Sequence, residues 1–261
     1  MELPKQKVKA TQDNAKVLVL FSKPKIGKTL ALSQLEGNLI LDTEHGTDYY
    51  DSMKINIENY NQFRESCEEI IKAGKPYKYL TLDTMTSFED MALRLAEMLY
   101  MKTAMGKNWI TLDENGKMKN DCQKAIVGGS ILNLPQGLGY RYLWDAVTDC
   151  INLMKKACDR IILTCHLKEK VIDKNGIQFE TKDVDLTGKV KTIINSRCDA
   201  IGYVFRKGKQ NWVTFNPGND LLGGSRQKHL GNNTLLLSEY LDDGTYKTYW
   251  ENIYTDYAQN N

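Results

Sequence analysis

Apolar residues occur along the chain in short solid blocks, separated by longer stretches where they recur every three or four positions. The solid blocks fall at 17–21 (VLVLF), 38–42 (NLILD), 77–83 (YKYLTLD) and 160–165 (RIILTC). Runs this short and this apolar predict strands buried on both faces. Between them, Phe63, Cys67, Ile70 and Ile71 mark a helix over 59–73, stopped by Gly74 and Pro76. Residues 53–57 (MKINI) alternate like a short strand. Ser87 followed by Asp90 predicts a capped helix start, with the helix running to about Met105 and Met91, Met98, Met101 and Met105 filling the core. Leu143, Val147, Ile151 and Met154 mark a further helix over 140–157. This alternation of block and period through residue 165 predicts an α/β fold: a mostly parallel central sheet with helices on both faces.

The rhythm changes after residue 165. From Lys168, KEKVIDKNGIQFETK reads as two β-like runs about 173–176, hence a hairpin. A short helix is predicted over 188–197. A second hairpin joins 199–206 to 211–216 around Lys207-Gly208-Lys209. A last strand is predicted at 234–240, followed by an Asn/Tyr-rich tail expected at the surface. The polar residues 1–15 read as an arm, 16–216 as the core, and 217–261 as an extension packed on it. Residues 106–139, rich in Gly and Lys, form a connection long for a compact domain and are expected to be functional or mobile.

Composition narrows the classes. With 261 residues, 41% hydrophobic and 26% charged, the chain suits one large globular domain. A net charge of +2 means that any nucleic-acid contact must come from local clusters. No apolar run approaches the ~18 residues that span a bilayer, and the start MELPKQKVK has no signal-peptide core. The expected location is the cytoplasm, with no membrane contact. The six cysteines form no C-x-x-C pair, so zinc and disulfide frameworks are not expected. Cys158 and Cys165 read as small core residues.

The chemistry concentrates where the first strand ends. Ser22-Lys23-Pro24-Lys25-Ile26-Gly27-Lys28-Thr29 leads from a buried strand into a helix-favouring LALSQL that closes at about Gly37. Such a turn presents backbone N–H groups to phosphate oxygens at a helix N-terminus. Residues 22–30, from Ser22 to Leu30, are the expected nucleotide-binding loop. Lys28 is expected to reach the β- and γ-phosphates and Thr29 to offer its hydroxyl to Mg2+. Ser22 departs from the G-x-x-x-x-G-K-[ST] pattern, standing where its first glycine belongs. Downstream, the apolar strand ending at Asp83 supplies the second expected magnesium contact.

The order of these motifs resembles the RecA-like ATPases, in particular the phage-encoded RecA-like single-strand annealing proteins, over about residues 15–215. The most specific local likeness is Asp42-Thr43-Glu44-His45-Gly46-Thr47-Asp48, similar to that family's strand-end D-x-E-H segment. The resemblance implies a RecA-like P-loop NTPase fold with C-terminal β-hairpin additions, using ATP and Mg2+. It implies that Glu44 polarises the attacking water, that Asp48 and Tyr50 hold adenine, and that His166 senses the γ-phosphate, with Tyr49 an alternative ring for the base. A residue acting in trans from a neighbouring subunit would be Arg206, Lys207, Lys209 or Arg226. DNA contacts would come from Lys107, Trp109, Lys168 and Lys170. The implied partners are single-stranded DNA, further copies of the chain in a ring or filament, and a single-strand-binding protein; the implied location is the host cytoplasm if phage-encoded.

Two other functions fit the same loop. One is a phosphotransferase acting on a small acceptor, against which stands the lack of an arginine cluster after the magnesium strand. The other is an assembly protein that binds nucleotide without turnover. A guanine-specific switch is disfavoured because no N-K-x-D segment is present.

Overall fold

The structure is a computed structural model that describes residues 3, 5–104, 106, 131–174, 177–218 and 220–257. Its centre is strand β1 (Val17–Ser22), buried throughout. It is flanked in parallel by β5 (Ile161–Lys174) and β7 (Ala200–Lys207). Beyond β5 lie β4 (Tyr79–Asp83), β2 (Asn38–Asp42) and the edge strand β3 (Lys54–Asn56), all parallel. Beyond β7 the sheet turns antiparallel through β8 (Gln210–Thr214), β10 (Thr234–Tyr240) and β11 (Tyr246–Thr248). The order is β11-β10-β8-β7-β1-β5-β4-β2-β3, with β6 (Ile177–Val184) paired to β5 and the short β9 (Gly224–Ser225) to β7.

Period-two alternation in β1 divides two cores. Val17, Val19 and Phe21 face one side, with residues of α2 (Tyr60–Lys72), α3 (Met85–Met101), α4 (Leu138–Ala157) and α5 (Gly188–Arg197). Leu18 and Leu20 face the other, with α1 (Lys28–Ser33) and Trp250, Ile253 and Tyr254. Burying both faces of a strand is what its unbroken apolar block foreshadows.

Five local expectations are corrected. Helix α3 ends at Met101 rather than near Met105, and β11 follows the strand expected to be the last. Helix α1 ends at Ser33 rather than near Gly37. Helix α3 is capped by Thr84, whose Oγ1 accepts from the Ser87 N–H, so its N-cap lies three residues before Ser87. The tail is not all surface: Trp250 and Tyr254 are fully buried, and Trp250 Nε1 donates to the Ala31 carbonyl at 2.9 Å. An aromatic buried this deeply contributes roughly 1.5–3 kcal/mol from apolar area. Cys158 and Cys165 are buried. No helix among the described residues is long and apolar enough to cross a membrane.

Candidate functional site

The carboxyl ends of β1, β4 and β2 and the middle of the long β5 meet at one edge of the parallel sheet, the place where such sheets present ligand crevices. Register brings Ser22 beside His166 and Asp42 beside Asp83. Three strand ends thus deliver a serine and two aspartates to one rim, and β5, which runs on past it, adds a histidine.

The loop after β1 takes the backbone shape its sequence allows. Gly27 adopts φ 107°, open to glycine and costly for other residues, and Lys25 also has positive φ, at 62°. Lys28 opens α1 and is buried at 7% exposure. Its Nζ donates to Ser22 Oγ at 2.6 Å, and the Ser22 hydroxyl donates to the Lys23 carbonyl at 2.7 Å. The serine in the glycine position therefore supplies an acceptor for the loop lysine. Burial lowers the Lys28 pKa, and the Asp83 carboxylate opposes that shift.

Asp83 is buried at 3% exposure beneath the loop. Thr29 Oγ1 donates to its Oδ2 at 2.7 Å, and Thr164 Oγ1 makes a short hydrogen bond to its Oδ1. Burial raises the Asp83 pKa, against the pull of those two hydroxyls and of Lys28. A dehydrated carboxylate beside a threonine hydroxyl is a pair of oxygen donors. That chemistry suits a hard ion such as Mg2+, which takes one or two protein oxygens plus phosphate and water. Among the described residues no His/Cys/Asp/Glu group offers a self-sufficient metal cage.

Glu44 follows β2 in a turn that Asp42 organises. The Glu44 N–H donates to Asp42 Oδ1 at 2.9 Å, the Thr47 N–H donates to Oδ2 at 2.8 Å, and the Thr47 hydroxyl also bonds Oδ2. The Glu44 side chain then spans to α3 and β5. Its Oε1 accepts from Thr84 Oγ1 at 2.7 Å and from Ser87 Oγ, and its Oε2 lies 3.3 Å from His166 Nε2. Hydrogen bonding from His166, reinforced by Ser87 and Thr84, pulls the Glu44 pKa down to about 2, although partial burial opposes it. The same contact raises the His166 pKa.

The remaining expected residues are placed as follows. Asp48 forms an ion pair with Lys54 and lies 3.6 Å from His45 Nδ1, while the Tyr50 and Tyr49 rings are exposed. The structure turns the His166 ring onto Glu44 rather than leaving it free at the rim. Of the residues expected to act in trans, Arg206 donates to the Ile26 carbonyl of its own chain at 2.7 Å, so here it is engaged in cis. Lys207 lies over the Phe205 ring, Lys209 pairs with Asp242, and Arg226 pairs with Asp199. Lys168 pairs with Asp185, and Lys170 is exposed on the β5–β6 hairpin. Lys107 and Trp109 lie outside the described residues.

Thr164, Thr84, Ser87 and Asp42 carry no site role in the sequence reading, yet the first three hold the two carboxylates and Asp42 holds the turn that carries Glu44. For Asp42 a signal existed, since an aspartate at a strand end two residues before a needed side chain commonly caps a turn.

The chain matches the family described as an AAA domain over residues 14–227 and belongs to it; it is of the P-loop ATPase type. No curated protein matches the chain.

Proposed function

Starting from that family membership, we propose that the chain is a RecA-like ATPase that hydrolyses ATP with Mg2+, binds single-stranded DNA and serves strand annealing or recombination as a homo-oligomer. The observation that carries the reading is the convergence of Lys28, Thr29, Asp83 and Glu44 at one crevice, with Thr29 Oγ1 2.7 Å from Asp83 Oδ2. In this reading residues 16–216 are the ATPase core and 217–261 its extension.

The chain's own residues divide the work. Loop amides and Lys28 bind the β- and γ-phosphates, the ammonium exchanging Ser22 Oγ for a phosphate oxygen. Thr29 and Asp83 would hold magnesium, which when bound offsets phosphate charge. Glu44 orients water and accepts its proton at a carboxylate oxygen. A carboxylate with a pKa of about 2 is a poor base, so Glu44 gains basicity only as His166, Thr84 and Ser87 loosen their hold. His166 is thereby the link between the catalytic turn and β5. The same strand runs on into the hairpin bearing Lys168 and Lys170. That continuity supports coupling between nucleotide and a strand of nucleic acid, and Asp48 and Tyr50 remain the proposed adenine contacts.

The test measures phosphate release with and without single-stranded oligonucleotides. Turnover is expected to rise several-fold with DNA at low salt and to lose that rise as salt increases. Lys28→Ala is expected to reduce turnover by about 10³-fold or more. If no nucleic acid stimulates the wild type, the DNA part of the reading fails while the ATPase part stands.

A further inference from the structure

In the phosphate-binding loop Ser22 stands where the pattern has its first glycine, Lys25 and Gly27 have positive φ, and no side chain caps the N-terminus of α1. Support comes instead from the antiparallel side of the sheet. Arg206 Nη2 donates to the Ile26 carbonyl at 2.7 Å, and its Nε donates to Asn211 Oδ1 at 3.1 Å. Asn211 is buried at 2% exposure directly opposite Arg206 in the β7–β8 ladder. Its Nδ2 donates to Ser238 Oγ at 3.0 Å, and the same oxygen accepts from the Tyr246 hydroxyl at 2.7 Å. One polar chain thus crosses β11, β10, β8 and β7 and ends on the loop.

The chain converges on a single peptide unit. A Cβ placed on Gly27 would lie 3.1 Å from Asn211 Nδ2, 3.5 Å from Arg206 Nη2 and 4.0 Å from the Tyr246 hydroxyl. Among the described residues the one cis peptide is Asp83–Thr84, so Ile26–Gly27 is trans. In a trans peptide the C=O and the following N–H point in opposite directions. Holding the Ile26 oxygen on Arg206 therefore aims the Gly27 N–H away from Arg206, as a phosphate donor requires.

We propose that Arg206, buttressed by Asn211 and Tyr246, is a positioning residue that sets the Ile26–Gly27 peptide for nucleotide phosphate within its own subunit. The C-terminal strands then belong to the nucleotide site. This inference rests on the nucleotide reading of the loop.

The experiment compares equilibrium binding of ADP and ATP, and steady-state turnover, for wild type, Arg206→Ala, Arg206→Lys and Tyr246→Phe. Arg206→Ala is expected to weaken both nucleotides roughly tenfold, the size of a charged hydrogen bond, with kcat within about threefold at saturating ATP. Arg206→Lys should restore binding in part, since an ammonium lacks the planar fork that serves two acceptors. Tyr246→Phe, which leaves the ring in place, should weaken binding about two- to threefold. Apo melting temperatures within a few degrees of wild type would show that the variants fold. Mixing Arg206→Ala with Lys28→Ala subunits is expected to restore nothing. Unchanged nucleotide binding by Arg206→Ala would overturn the inference alone. So would intact binding with lost turnover that returns on mixing, because the guanidinium would then act on a neighbour's site. Absence of nucleotide binding by wild type would overturn the reading of the loop, and this inference with it.

Discussion

The crevice holds two carboxylates that physics drives in opposite directions. Asp83, at 3% exposure, receives two threonine hydroxyls and has its pKa raised, because burial outweighs what those donors and Lys28 supply. Glu44, with its side chain 33% exposed, receives two hydroxyls and the His166 ring and has its pKa lowered to about 2. One is a dry carboxylate held by neutral hydroxyls, suited to a cation. The other is a wet carboxylate with its hydrogen bonds filled, suited to being held until released. Chemically identical groups acquire different tasks from solvation and partners.

Glu44→Gln is the strongest way to break the comparison. It preserves shape and removes the negative charge, so nucleotide affinity should persist within about threefold while turnover falls about 10²–10⁴-fold. Filter binding beside phosphate release measures both; measurable binding with no wild-type turnover to lose would instead mark a binding protein.

Asp83→Asn should have two effects of opposite sign. The folded pKa of Asp83 lies above its unfolded value, so its contribution to stability is full below the unfolded value and is lost as pH rises through the folded one. At neutral pH the buried charge therefore costs stability, and Asn should raise the apo melting temperature by roughly 2–4 °C per kcal/mol recovered. Magnesium-dependent nucleotide affinity should fall about tenfold or more. Melting curves with and without magnesium nucleotide across pH separate the two effects; a lower apo midpoint would contradict the account of Asp83.

His166→Ala should show the smallest effect. The folded pKa of His166 is raised, so its stabilising link to Glu44 is complete below the unfolded value near 6.5 and disappears as pH rises through the folded one. Wild type should exceed the variant in melting temperature at mildly acidic pH and converge with it in alkaline buffer, the gap being under about 1 kcal/mol for so exposed a pair. A gap independent of pH would mean that packing, not protonation, joins the two residues.

Particular residues show how far the sequence alone could be read. The apolar blocks of β1, β2, β4 and β5, the glycine-lysine-threonine turn and Asp83 were visible because each is a local pattern with a local cause. The hairpins of β5–β6 and β7–β8 followed from turn residues between alternating runs. The N-cap of α3 was misplaced because Thr84 and Ser87 both satisfy the local rule, and Thr84 holds the position together with Glu44, 40 residues away in sequence. The tail was misread because Trp250 and Tyr254 sit among polar neighbours and show no period; they are buried by α1 and the far side of the sheet.

By itself, then, the sequence determined the order of strands and helices apart from β9 and β11, the backbone freedom at Gly27 and the residue types at the strand ends. These depend on hydrophobic periodicity and steric rules that act over a few residues. Tertiary structure alone decided that Thr164 sits on Asp83, that His166 turns to Glu44 and that Arg206 reaches Ile26 across 180 residues of chain. Those partners are chosen by sheet register. No local pattern encodes which strand end will lie beside which.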